Sequence, residues 1–155
     1  MASRSRGIML GAWGSSTLGI PELTRTEVAY IESMYRLNES HDATSVSVLA
    51  KRFGVRLPTA IEILDKLEQK GLVIRKPWRV PELSKRGKIL AESVMHQHRV
   101  VELYFSRNLG LNSEMSCSEA SKIAYLLDRT VIEKMCKSLN RPTQCIHGNP
   151  IRHRD

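Results

Sequence analysis

The chain has 155 residues, of which 41% are hydrophobic and 26% charged, ordinary values for a globular protein rather than a disordered one. No apolar run approaches the ~18 residues of a membrane-spanning helix, and aromatics are only 5%, so any core is mostly aliphatic. With 24 Lys and Arg against 16 Asp and Glu, the net charge of +8 favours a polyanionic partner, nucleic acid before membrane. That charge is local: residues 51–107 carry 13 basic and 6 acidic side chains, whereas residues 24–50 carry 2 and 4.

Residues 1–23 are rich in Gly and Ser and read as a flexible N-terminal arm. The apolar stretch within residues 1–21 is too short for a signal-peptide core, although the acid-free, Arg-bearing character of those residues leaves a transit peptide open as an alternative. The three cysteines, Cys117, Cys136 and Cys145, are odd in number and widely spaced, so a reducing cytoplasm is expected rather than a disulfide framework.

Helical periodicity starts at Thr24, where Thr24 or Thr26 can cap a helix whose inner side is Val28, Ile31, Met34 and Tyr35. Ser45 or Ser47 begins a short second helix with Val48, Leu49 and Phe53 inward, and Gly54 ends it. Pro58 suits a first helical turn, and the third helix places Ala60, Ile63 or Leu64, and Leu67 at core spacing before Gly71 closes it. The segment "LVIRKPWRVPEL" predicts a short hairpin. Ser84 then caps a long helix over about residues 85–108, with Ile89, Leu90, Val94, Val101 and Phe105 as its apolar side. Two shorter helices are expected near 116–127 and 130–139, and the ending is loop-like.

Helix, helix, tight turn, helix, hairpin is the order of a winged helix-turn-helix, which lays its last short helix into a major groove. The fold expected is mainly α: an arm at 1–23, a winged helix-turn-helix DNA-binding domain at 24–84, a helical dimerisation domain at 85–140, and a C-terminal tail at 141–155. Arg56, Pro58, Thr59, Glu62 and Lys66 are the outward residues of the recognition helix, and Arg75, Lys76 and Arg79 the basic residues of the wing. A winged helix used only for protein contacts is the bland alternative, and the local excess of basic residues argues against it.

The blocks "EVAYIESMYRL", "VLAKRFGVRLPTAIEILDKLEQKGLVIR", "ELSKRGKILAESVMHQHRVVELYF" and "CIHGNPI" closely resemble the iron- and manganese-dependent repressors of the DtxR/MntR family, over about residues 24–151. The resemblance implies a homodimer on a near-palindromic operator in double-stranded DNA. It places Arg56, Pro58, Thr59 and Glu62 at family DNA contacts, with Glu62 standing where Gln is usual. The chain resembles the shorter members, which have no SH3-like domain after "GNPI".

The same resemblance exposes a departure. The resemblance implies an activating metal held by residues of the first helix, the long helix and the helix after it. Here Ala29 stands at the first-helix ligand position, although Glu32 remains, and Ser121, Ala124 and Tyr125 stand at the later ones. Alanine has no donor atom, and serine and tyrosine are poor ligands for divalent ions at neutral pH. A neighbouring family site survives: His98 and Glu102 lie four apart on one helix face, and Cys117 stands where iron-dependent members carry His. Such a set suits zinc, or ferrous iron with water; the plain alternative is a structural His–Glu pair beside a small buried thiol.

Three further candidates are weaker. Cys145 and His147 have ligand-like spacing but are also explained as ordering the terminal loop. Cys136 reads as core before redox sensor, and His96 as exposed. No enzyme signature appears. The leading expectation is a dimeric transcriptional regulator, a repressor by resemblance, that has lost the family's usual metal switch, with Tyr125 filling the vacated site. The alternatives are a zinc- or iron-responsive regulator through His98, Glu102 and Cys117, or a non-specific chromatin-like DNA binder.

Overall fold

A computed structural model describes residues 22–153; the expected arm lies, but for Glu22 and Leu23, outside the described residues. The elements in order are α1 (Arg25–Glu39), α2 (Val46–Phe53), α3 (Leu57–Gln69), β1 (Val73–Ile74), β2 (Glu82–Leu83), α4 (Lys85–Leu109), α5 (Ser113–Ile123), a 3-10 turn (Ala124–Leu126) and α6 (Arg129–Ser138). The protein is mainly α, as the sequence predicts. It divides into two compact units within α4: one is Thr24–Glu92 and the other contains the chain from Ser93 onward.

In the first unit, α1 begins on a capping box. The Thr24 Oγ1 accepts from the Glu27 backbone N–H, and the Thr24 N–H donates to Glu27 Oε2 at 2.7 Å. Glu27 is buried and also accepts from Lys70 Nζ at 2.8 Å on each carboxylate oxygen, which ties the start of α1 to the end of α3. Burial opposes ionisation of Glu27, but the Lys70 and Thr24 hydrogen bonds and the Lys70 charge outweigh it and hold its carboxyl below the ordinary value.

The inner side of α1 is as expected: Val28, Ile31, Met34 and Tyr35 are all buried. Ser45 caps α2, and Gly54 takes the left-handed conformation (φ 62°) that turns the chain toward α3. Two expected core positions differ. Val48 is exposed and Phe53 is half-buried, stacking on Tyr30 with ring centroids 4.2 Å apart. On α3, Ala60, Leu64 and Leu67 are buried while Ile63 is only partly so, which resolves the ambiguous register in favour of Leu64.

β1 and β2 pair antiparallel, Val73 opposite Leu83 and Ile74 opposite Glu82, leaving residues 75–81 as the wing. Ser84 locks the return. Its N–H donates to Leu72 O at 2.9 Å, its hydroxyl donates to Gly71 O at 2.7 Å, and its Oγ accepts from the Gly87 N–H. α4 thereby starts against the backbone of residue 72, where a Cβ on Gly87 would meet Leu72 O at 2.0 Å. Ile89 is exposed rather than inward, and Phe105 is half-buried, while Leu90, Val94 and Val101 are buried as expected.

In the second unit, Val100, Val101 and Leu103 of α4 form a core with Ala120, Ala124, Ile132, Cys136, Leu139, Cys145 and Ile151. The terminal segment is ordered rather than loose. Its Gln144–Pro150 bridge closes a turn in which the Cys145 N–H donates to Asn149 O, the Ile151 N–H donates to Thr143 O, and Arg99 Nη1 donates to Pro150 O at 2.7 Å. The expected helix near 116–127 instead breaks after Ile123 into the 3-10 turn.

Two glycines should respond differently to the same change. Gly87→Ala should cost about 3 kcal/mol or more, because carbonyl and helix cannot both hold their places, whereas Gly54→Ala, with open space around it, should cost only about 1–2 kcal/mol of backbone strain; urea unfolding checks both.

Glu27 gives a pH prediction. Its folded pKa is lowered, so its contribution is full above the ordinary glutamate range and lost as pH falls through the folded value. Glu27→Gln should flatten that acid limb in urea midpoints measured from neutral to about pH 3, and Glu27→Ala should cost about 2 kcal/mol at neutral pH.

Candidate functional site

The first unit carries one candidate surface. On α3, Arg56, Pro58, Thr59, Glu62 and Lys66 are all exposed, and Thr59, Glu62 and Lys66 recur at helical spacing along one stripe. Exposed Leu57 and Ile61 flank it, and the first turn of α3 has no side-chain cap, so its backbone N–H groups face outward. Lys51 and Arg52 of α2 are exposed as well. This is an apolar and basic helix face of the type that reads base edges and phosphates in a major groove.

The wing is less uniform than its sequence. Lys76 and Arg79 are exposed near its tip, but Arg75 is held against α3: its N–H donates to Glu68 Oε1 at 3.0 Å, its Nε to Glu68 Oε2 at 3.3 Å, and its guanidinium pairs with Asp65. Arg75 braces the wing to the recognition helix. Sequence reading overlooked Trp78, which is fully exposed at the tip with a left-handed backbone (φ 62°); the signal was its place between Pro77 and Arg79.

The second unit carries a buried polar centre on α4. His98 and Glu102 are 0% and 1% exposed. His98 Nε2 lies 3.3 Å from Glu102 Oε2 and 3.5 Å from Cys117 Sγ of α5. Tetrahedral zinc with bonds of about 2.0–2.3 Å sets ligand atoms about 3.3–3.6 Å apart; the two separations from His98 fall in that range, and all three donors lie within 4.8 Å of one another.

The terminal turn adds what spacing alone left undecided. His147 Nδ1 stands 3.6 Å from Glu102 Oε2, and one donor atom each from Glu102, Cys145 and His147 lies within 4.8 Å of the others. The Glu102 carboxylate is thus shared by two sets of possible ligands. Burial would raise its pKa, but hydrogen bonding from His98 and Cys145 and the charges of His98 and His147 bring it below the ordinary value. The Cys145 thiol moves the other way, raised by burial and by the neighbouring carboxylate. Yet Glu102 Oε2 is sealed from water without a well-formed hydrogen bond, with His98 Nε2 at 3.3 Å and His147 Nδ1 at 3.6 Å. An anionic oxygen so placed is the chemistry of a cation ligand.

The degenerate family positions look different. Ser121 is exposed on α5 and its hydroxyl donates back to Cys117 O at 3.0 Å. Ala124 and Tyr125 are buried in the 3-10 turn, and Ala29 is half-buried on α1. α5 and α6 also leave Met115, Ile123 and Val131 exposed, and Leu109 lies exposed at the end of α4.

Comparison with known proteins also gives two parts, with the boundary just before α4 rather than within it. Residues 22–80 match the family described as the N-terminal DNA binding domain of iron-dependent repressors, and residues 84–153 match their metal binding and dimerisation domain. The iron-dependent repressor IdeR of Mycobacterium tuberculosis is 31% identical over 130 residues, 84% of this chain and 56% of that protein. The diphtheria toxin repressor of Corynebacterium efficiens is 28% identical over 130 residues, again 84% of this chain and 56% of that protein. The chain therefore spans about half the length of the curated relatives it matches. A manganese-dependent transcriptional repressor solved with manganese superimposes with TM-score 0.75 at 26% identity, covering 82% of this chain and 58% of that one. A hypothetical protein from Sulfolobus solfataricus does so with TM-score 0.66 at 27% identity, covering 84% of this chain and all of that one.

Removing Glu102 takes from buried His98 its carboxylate partner one turn away. In metal-free protein Glu102→Ala should therefore cost about 3–5 kcal/mol, while Ser121→Ala, an exposed back-bonded hydroxyl, should stay within about 0.5 kcal/mol; chemical unfolding at neutral pH compares them.

Proposed function

The chain belongs to the family of iron-dependent repressors, and on that premise we propose that it is a sequence-specific DNA-binding transcriptional repressor that acts as a homodimer on a near-palindromic operator and takes its metal at His98, Glu102 and Cys117. The convergence of Nε2, Oε2 and Sγ around one buried point carries this reading. Imidazole, carboxylate and thiolate together suit zinc or ferrous iron, with water completing the shell.

Two groups of observations support the rest. The exposed stripe from Arg56 to Lys66 supports base readout, with Lys76, Arg79 and Trp78 of the wing on the flanking backbone. Arg75 acts indirectly, by holding the wing to α3. The exposed apolar residues of α5 and α6 support burial against a second copy. Metal would then act as a population shift toward the DNA-competent arrangement, worth only its differential affinity for the two states. A reducing cytoplasm fits the free thiols of all three cysteines.

A second reading has an observation of its own. Ala124 and Tyr125 are packed within their unit, which supports a repressor held competent by packing, without metal.

Selection of binding sites from randomised duplex DNA separates the two. Chelator-stripped protein is run beside protein supplied with zinc, ferrous iron or manganese. The expected result is a palindrome enriched in a zinc or iron arm and lost on Cys117→Ala. The same palindrome from stripped protein, lost on Tyr125→Ala, would instead establish the packing reading, and equal retention of all duplexes would overturn specific recognition. With the operator in hand, Lys66→Ala should lower the slope of log affinity against log salt by about one.

A further inference from the structure

A second constellation lies in the same unit, apart from the residues the family resemblance points to. His96 comes from α4, Cys136 from α6 and His153 from the terminal segment, and one donor atom from each lies within 4.8 Å of the others. His96 is half-buried, not exposed as its sequence position suggests, and Cys136 is buried.

The hydrogen bonds of both rings define their tautomers. His96 Nδ1 lies 2.9 Å from Arg152 O, and His153 Nε2 lies 2.9 Å from Pro142 O. A carbonyl oxygen only accepts, so each of these nitrogens carries the proton. In the neutral ring the lone pair then falls on His96 Nε2 and on His153 Nδ1. The latter faces Cys136 Sγ at 3.7 Å, close to the roughly 3.6 Å edge between nitrogen and sulfur in a tetrahedral zinc shell. The two rings meet edge to face, with centroids 5.5 Å apart. The His153 imidazole, anchored through its far nitrogen to a backbone carbonyl with the near nitrogen facing a thiol, has the usual outer shell of a metal ligand, and His96 brings a second imidazole within reach of both.

We infer that His96, Cys136 and His153 form a second metal-binding site, for zinc or a like borderline divalent ion, that clips the terminal segment to α4 and α6. Binding replaces the Cys136 S–H bond with a metal–sulfur bond and releases that proton to solvent; no electron moves. Water completes the tetrahedron. The plainer account, a thiol donating to His153 Nδ1 within a packed core, makes no demand for metal.

The test uses the full chain in a Cys117→Ala/His147→Ala background, which takes one ligand from each set built on Glu102. Equilibrium dialysis with zinc should find one ion per chain remaining. Cobalt(II) in its place should give the intense visible bands of a tetrahedral ion and a thiolate charge-transfer band. Adding His153→Asn, near the chain end, should weaken zinc by more than about 100-fold, and Cys136→Ser should remove the charge-transfer band. Circular dichroism establishes that each variant is folded. A folded background protein that binds no zinc, or an unchanged cobalt spectrum on adding His153→Asn and Cys136→Ser, would overturn the inference. Failure of the other centre reads separately, as a zinc count in wild type no higher than in the background.

Discussion

Water does not reach Glu102, and its unit is organised around that fact. Moving a carboxylate from water to a low-dielectric interior costs several kcal/mol even after relaxation, so the fold must supply opposite charge, donors or a cation. α4 supplies His98 one turn away, α5 brings Cys117, and the terminal turn brings Cys145 and His147. Three separate stretches of chain therefore meet on one side chain. The ordering of the terminal segment, through Arg99 on Pro150 O and Ile151 in the core, is what delivers the third of them.

A comparison within the protein shows why burial alone does not make a site. Glu27 is as buried as a carboxylate usually gets, yet it accepts from the Thr24 N–H and twice from Lys70, and its role is to fasten α1 to α3. Nothing is left for a ligand. Glu102 has its basic neighbours farther off, at 3.3 and 3.6 Å, and an oxygen whose hydrogen bonding is unfinished, and those neighbours are themselves metal-binding types. The same physical cost is met in one case by structure and in the other by groups that could hold an ion.

What could be read in the sequence was what is local. Capping at Thr24 and Ser45, the turn at Gly54 and the register of α3 depend on neighbours within a few residues, and the His98–Glu102 pair is a four-residue spacing on one helix. Val48 and Ile89 fell on the apolar stripe yet are exposed, because a helix buries only the arc its neighbours cover. Arg75 looked like a phosphate ligand because Asp65 and Glu68 face it only once the hairpin closes. Trp78 drew no notice because a lone aromatic between Pro and Arg has no periodicity to mark it. His96, Cys136 and His153 are brought together by tertiary closure alone, and no spacing rule links positions 40 and 17 residues apart.

The chemistry of the departures from the family pattern has a direction. Ser121 spends its hydroxyl on its own helix, and Ala124 and Tyr125 are taken up in packing, so those positions offer a divalent ion little. Meanwhile each of the three cysteines stands in a cluster with histidine or carboxylate. Sulfur and imidazole donors suit zinc or ferrous iron better than manganese, because softness of the ligand, more than raw affinity, separates these ions. None of the three thiols is in a disulfide, and burial raises those of Cys136 and Cys145, which disfavours their thiolate forms. At the positions where the resemblance implies the usual ligands, Ala29 and Ala124 offer no donor atom, while the sulfur and imidazole donors of this unit are gathered in other clusters.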